Sequence, residues 1–447
     1  LLRRTALVVL PVVGSLLAGV VAVGSLGSLA NAAVTTSPAI PVIVVGPPLP
    51  TPTPVAPATS AAASPTPLPT ATPTITIKPS ATPTPTKPVA TPTPTPTSQS
   101  AAVKPAIDTA DTFVPTQGAV FGDPTATSND ILTELMDNIA HTPAGATIQI
   151  VGYSFSLDRV ATALLTAYRR GVNVQVVMNG HSSQWSPAQR MVPVLGSDPT
   201  SQSFFVLTRG SARGTGGVTH QKSWTFSQVG RTPYVVMVGS MNLTGTGIDV
   251  QHSDAYTYTG HQDVYEVYAR LFAVQKLDQP VTNAYREEPF DGGNASFYPR
   301  PGTTATDDPI IARLAALPSN SSTTIRIAQY AWWDTRGAWL AKALAAKAKA
   351  GARVQVVAGE SVSNQVRSTL TAAGIPIHSG QYADSSRIHT KLMLAEYVVA
   401  GRTRQSVWTG SDNWTDQSFR NEETVLRIDD RVAYDAYVSF FDMLNTR

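Results

Sequence analysis

The chain has 447 residues, no cysteine, 35 prolines and 31 glycines; 42% of it is hydrophobic and only 14% is charged. That length and apolar content exclude disorder throughout and allow two or three domains, while the lack of cysteine excludes a disulfide scaffold, a thiolate metal site and a cysteine nucleophile. The formal charge of +3 is misleading, because residues 1–105 hold five basic residues and no acidic one; residues 106–447 therefore carry −2 and give no support for nucleic-acid binding.

The first element predicted is a leader. Leu-Leu-Arg-Arg is followed by an uncharged apolar stretch from Thr5 to Ala30 and by Ala30-Asn31-Ala32. A positive start, a greasy run and a small-x-small site read as an export signal over residues 1–32, cleaved after Ala32. The run is also long enough for a retained signal anchor. Residues 33–105 then collapse to Pro, Thr, Ala, Ser and Val, with strict alternation from Thr91 to Thr97. Without apolar periodicity this segment cannot pack a core, and its prolines favour an extended, disordered linker. Together they lead us to expect a secreted, extracellular protein, tethered to a cell surface.

From residue 106 onward the chain repeats itself. A helix over Asp130–Ala140 precedes a strand over Ile148–Tyr153, a helix over Leu157–Arg170, Gly171, and a strand over Val172–Val177. The same order returns with Pro309–Leu317, Ile325–Tyr330, a helix from about Gly337 to Ala350, Gly351, and Ala352–Val357. Strand, helix and strand in this arrangement predict parallel pairing. The fold class is α/β, in two similar lobes, 106–280 and 281–447.

Each copy continues to a His-x-Lys strand and a Gly-Ser-x-Asn turn: His220, Lys222, Ser240 and Asn242 in the first, His389, Lys391, Ser411 and Asn413 in the second. On a strand, residues i and i+2 share a face, so each His and Lys project together. Two facing sets supply imidazoles for attack and proton transfer, and ammonium groups, amides and hydroxyls for phosphate oxygens.

These paired motifs resemble the phospholipase D superfamily, whose signature is His-x-Lys-x4-Asp followed by Gly-Ser-x-Asn, present twice; the likeness covers residues 110–447. It implies two α/β/α sandwich lobes related by a pseudo-twofold axis, a monomer with one active site between the lobes, and phosphodiester hydrolysis through a phosphohistidine with no metal or cofactor required. By resemblance His220 is the nucleophile and His389 the general acid and then base. Lys222, Lys391, Asn242 and Asn413 bind the phosphate, assisted by Ser240 and Ser411, and the acids that orient the histidines are Asp254 and Glu423. The motif Asp is replaced by Ser227 and Glu396, which bears on subfamily and substrate. The expected substrate is a phospholipid, cleaved at its headgroup to phosphatidic acid or transferred to another alcohol, with contact to a membrane surface. A metal-independent extracellular nuclease and a catalytically inactive binding relative are the alternatives. His141, His181, His261 and His378 are given no function. Trp332, Trp333 and Trp414 read as core packing before a lipid-facing rim, and Lys342, Lys347 and Lys349 as a solvated helix face.

Overall fold

The computed structural model describes residues 111–447, and the leader and the whole Pro/Thr-rich segment lie outside the described residues. In the first lobe the strands are β1 (Gly118–Gly122), β2 (Thr147–Gly152), β3 (Asn173–Asn179), β4 (Phe204–Thr208), β5 (Ser223–Val229), β6 (Thr232–Gly239) and β7 (Gln251–Tyr258). They form one sheet in the order β1-β7-β6-β5-β2-β3-β4, parallel from β2 to β4 and antiparallel elsewhere. The second lobe holds β8 (Arg286–Phe290), β9 (Gly293–Phe297), β10 (Thr324–Trp332), β11 (Arg353–Val362), β12 (Ile377–Ser379), β13 (Arg387–Ile388), β14 (Lys391–Val399), β15 (Arg402–Gly410) and β16 (Thr424–Ile428). Its sheet runs β12-β11-β10-β14-β15-β16-β9-β8, with the same parallel segment at β10–β12. Strand β13 alone crosses over, pairing with β7 of the first lobe.

The repeated helices are placed by local chemistry. In the helix Asp130–Ala140 Asn129 caps the first turn, accepting from the Leu132 amide at 3.2 Å; in the helix Pro309–Ala316 Asp308 does so for Ile310 at 3.0 Å. The helices between the parallel strands, Asp158–Arg169 and Asp334–Lys349, are followed by Gly171 and Gly351 at φ +93° and +106°, a left-handed backbone that favours glycine and lets the chain turn into the next strand. The second of these begins three residues before the expected Gly337, because Asp416 caps its first turn, accepting from the Arg336 amide at 2.7 Å, while Asp334 accepts from the Asp416 amide at 2.9 Å.

Each lobe buries an aliphatic core between its sheet and helices. A third cluster joins the lobes, where the C-terminal helix Arg431–Thr446 packs Phe440 against Phe121 of β1 with stacked rings 4.3 Å apart. Among the described residues no helix is long and apolar enough to cross a membrane.

Candidate active site

The glycine that opens each Gly-Ser-x-Asn turn lies where the neighbouring strand passes too close for a side chain. A Cβ on Gly239 would collide with the carbonyl oxygen of Asp254, and one on Gly410 with that of Thr424. The serine that follows donates its backbone N–H to the same carbonyl, Ser240 to Asp254 and Ser411 to Thr424, each at 2.9 Å. These bonds make residues 254 and 424 structural equivalents, and therefore 253 and 423.

His220 and Lys222 lie in the extended lead-in to β5, and His389 in that to β14, rather than within the strands. Each histidine is fastened to the opposite lobe: the His220 amide donates to the Glu422 carbonyl at 2.9 Å and the His389 amide to the His252 carbonyl at 2.8 Å. The two sets therefore meet where the lobes meet. His220 Nδ1 lies 2.8 and 3.0 Å from the carboxylate oxygens of Glu423, whereas His389 Nδ1 donates to the backbone carbonyl of Ser240 at 2.9 Å. Both bonds leave Nε2 as the reactive ring nitrogen. Lys222 and Lys391 each donate to the carbonyl of their own motif histidine at 2.5 Å, and the side-chain oxygens of Asn242 and Asn413 are buried without a hydrogen-bond partner.

Burial and mutual repulsion set the charges. Desolvation, then the two lysines, hold His220 and His389 well below the usual imidazole range. Burial pushes Lys222 down to about 7, opposed by Glu423. It holds Lys391 well below the usual range, aided by Lys222. Burial raises Glu423 to about 7 against the pull of Lys222. A phosphate anion entering this centre favours the charged forms of its lysines and imidazoles.

The family model described as cardiolipin synthase, PLD-like domain, matches residues 135–274 and 314–445, once in each lobe. The chain belongs to this phospholipase D-like family. Among solved structures, the phosphatidylserine synthase of Haemophilus influenzae Rd KW20 superposes with a TM-score of 0.52 at 12% identity, covering 75% of this chain and 88% of its own. The polyphosphate kinase of Porphyromonas gingivalis gives 0.48 at 13% identity, covering 73% of this chain, which spans half of that kinase. Yeast tyrosyl-DNA phosphodiesterase gives 0.39 at 8% identity, covering 70% of this chain and 89% of its own. No curated protein matches the chain. The fold is that of the phospholipase D superfamily, whose members act on phosphodiesters.

Three expectations need correction within this phospholipase D-like site. Asp254 does not reach His389: fully buried, it accepts from the hydroxyls of Thr390 at 2.6 Å, Ser240 at 2.8 Å, Tyr437 at 3.2 Å and Thr409. Side chains alternate along β7, and the position matching Glu423 is Ser253, whose hydroxyl is buried without a partner. The hydroxyls of Ser240 and Ser411 are likewise not free for phosphate. Each accepts a backbone amide, from Asp254 and Thr424 at 3.0 Å, and so locks its turn. Lys347 is buried rather than solvated and donates to Leu317 O and to Ser319 Oγ.

The substituted motif acids lie seven residues past their histidines, away from the pocket. Ser227 Oγ accepts from the Thr147 amide at 2.8 Å where β2 begins, and Glu396 pairs with Gln405 at 2.7 Å. Their replacement leaves the pocket's own contacts untouched. Trp332 and Trp414 are buried and meet edge to face at 4.6 Å, so they are packing residues, while Trp333 is 42% exposed.

Sequence reasoning missed the aromatic walls. Tyr153 sits 5.0 Å from the His220 ring and Tyr330 4.7 Å from that of His389, at the ends of matching strands. It also missed His181, whose Nε2 contacts Ser154 Oγ at 2.9 Å, whose Nδ1 contacts Asn179 Oδ1 at 2.5 Å, and whose ring packs 4.3 Å from Tyr153. Among the described residues no group of three or more His, Asp or Glu is arranged to hold a metal ion.

Proposed function

We propose that the protein is an exported phospholipase D-type phosphodiesterase that releases the headgroup alcohol of a phospholipid and leaves phosphatidic acid. The observation that carries the reading is the inequality of two otherwise matched histidines: His220 has a buried carboxylate on Nδ1, and His389 has only a carbonyl. A carboxylate stabilises the cation that forms as imidazole nitrogen bonds to phosphorus, so His220 suits the nucleophile. A carbonyl fixes the tautomer without that gain in basicity, so His389 suits the acid.

His220 Nε2 attacks phosphorus, the bond to the leaving oxygen breaks, and His389 Nε2–H protonates that oxygen. Water, giving its proton to His389, then attacks the phosphohistidine, and the P–N electrons return to His220. Before substrate binds, low imidazole basicity keeps His220 neutral and nucleophilic. The phosphate's negative charge favours the protonated form of His389 that the first step needs. An alcohol in place of water gives headgroup transfer by the same steps. Export and surface tethering, read from residues 1–105, suit a lipid substrate, and the −2 balance of residues 106–447 supplies no broad basic track for nucleic acid.

The test is release of free headgroup and phosphatidic acid from mixed phospholipid vesicles in EDTA, beside His220→Ala. The reading expects release by the parent alone. Intact vesicles together with EDTA-resistant cleavage of DNA or RNA would replace it with the nuclease alternative. Binding to vesicles without cleavage, unchanged in His220→Ala, would replace it with the inactive one.

A further inference from the structure

The pseudo-twofold pocket has unlike flanks. Beside His389, the hydroxyl of Tyr330 donates to Glu360 Oε1 at 3.1 Å, and Arg387 Nε lies 3.4 Å from the same oxygen. Arg387 precedes His389 by two residues in an extended run, so both project to one side. Counted along the repeats, the first lobe has Gly180 and Val218 at these positions. Its flank instead carries the uncharged Ser154 beside Tyr153, with His181 held below the usual imidazole range by burial and by Lys222.

The Glu360–Arg387 pair is incompletely satisfied. Arg387 Nε is buried and makes no hydrogen bond of good geometry. Its terminal nitrogens make no bond among the described residues, and Glu360 Oε2 has only Gln381 Nε2, at 3.5 Å. Both side chains are about 30% exposed. A carboxylate and a guanidinium held side by side, each with an open edge, are completed by a ligand of opposite pattern: an ammonium donating to Glu360 and a carboxylate in the guanidinium fork.

We propose that Glu360 and Arg387 form the leaving-group subsite, and that it takes an alcohol bearing both an ammonium and a carboxylate, as in the serine headgroup of a phospholipid. The assignment rests on the reading of His389 as the acid, since the alcohol it protonates departs across its own face towards Tyr330 and Glu360. A trimethylammonium headgroup has no N–H to donate, and Arg387 repels it. A neutral polyol reaches the pair but exchanges no charge with it. In the first step the phosphorus–oxygen bond to the amino-acid alcohol breaks and His389 supplies its proton, so it leaves as the free zwitterion.

The test compares kcat/KM for phosphatidylserine, phosphatidylcholine and phosphatidylglycerol, each diluted into the same vesicle matrix. Water-soluble glycerophosphoserine tells a lipid-borne from a free headgroup. The parent is expected to prefer the serine headgroup at least tenfold over both others. Glu360→Gln is expected to cut that preference to a few-fold, and Arg387→Gln, checked for folding by thermal melting, to do the same. Equal treatment of the three headgroups, or a Glu360→Gln variant that slows all three in proportion, would overturn the subsite. Bis(p-nitrophenyl) phosphate, which has no headgroup, separates the two levels. Turnover of it by the parent without headgroup preference removes the subsite and leaves the catalytic reading. No turnover of any diester removes both.

Discussion

Glu423→Gln is the perturbation that bears most directly on the unequal histidines. The substitution keeps shape and removes charge from a fully buried group 2.8 Å from His220 Nδ1. Removing one partner of a buried, hydrogen-bonded charge pair costs about 3–5 kcal/mol. Because His220 becomes cationic only as phosphorus is attacked, that cost falls on the barrier. At about 1.4 kcal/mol per decade it slows the first step between about 100-fold and several thousand-fold. The effect has a pH signature. Glu423 is raised to about 7, so below that pH the parent carboxyl is itself neutral, and the ratio of parent to variant shrinks as pH falls through 7. On the alkaline side Glu423 supports the charge of Lys222, which sits at about 7. The variant therefore loses phosphate affinity at a lower pH than the parent. Rapid acid quench with a chromogenic diester from pH 5.5 to 9 measures both. A loss below tenfold in a folded variant, or a ratio independent of pH, would refute the reasoning.

The neighbouring carboxylate has a different consequence. Glu422 accepts from Arg213 Nε at 2.6 Å and Gln275 at 2.7 Å with both charges buried, so Glu422→Gln is expected to lower unfolding free energy by about 3 kcal/mol, read by urea titration; a change under about 1 kcal/mol contradicts this. His252 is buried among Asp123, Ser386, Asp384, Tyr382 and Arg447, and burial lowers it to about 4. Since the unfolded chain takes up that proton near 6.5, His252 costs stability as pH falls from 6.5 to 4, by about 3 kcal/mol in all. His252→Asn should accordingly unfold with a shallower pH dependence over that window, and an unchanged slope would exclude the assignment. Asp254→Asn, which weakens a carboxylate held by four hydroxyls around the Ser240 turn, is expected to slow the reaction at least tenfold. Its partner Tyr437→Phe should slow it less; the reverse ranking would contradict that role.

Much of this was legible in the sequence because the chain states it twice. The helices, the parallel strands, the His-x-Lys pairs and the asparagine turns recur at nearly constant offsets, and the structure brings them together between the lobes. What the sequence concealed follows from small irregularities in the repeat. The offset is 169 residues at the histidines, 171 at the turn serines and 170 on the following strand, so a one-residue ambiguity enters between motifs. On a strand one residue is the difference between two faces, so Asp254 faces the hydroxyls around the Ser240 turn while Ser253 stands at the position matching Glu423. His181 has Ser361 at its counterpart position, so comparing the copies does not expose it. Lys347 reads as solvated from helical pattern alone; its long stem instead carries the ammonium to carbonyl and hydroxyl groups of the preceding loop. The glycine of each turn, by contrast, could be recognised from sequence, but its reason is the carbonyl of a strand that only the fold brings near.

The central claim is that His220 carries the phosphoryl group while His389 moves the proton, and one measurement addresses it. With bis(p-nitrophenyl) phosphate the leaving phenolate needs little protonation, so His389→Asn should still be phosphorylated but, lacking its base, should hydrolyse slowly. Acid-labile, alkali-stable label quenched from that variant and mapped by mass spectrometry is expected on His220, near one equivalent per chain, and absent from His220→Ala. Label on another residue of His389→Asn, or none while substrate is still consumed, would contradict the account.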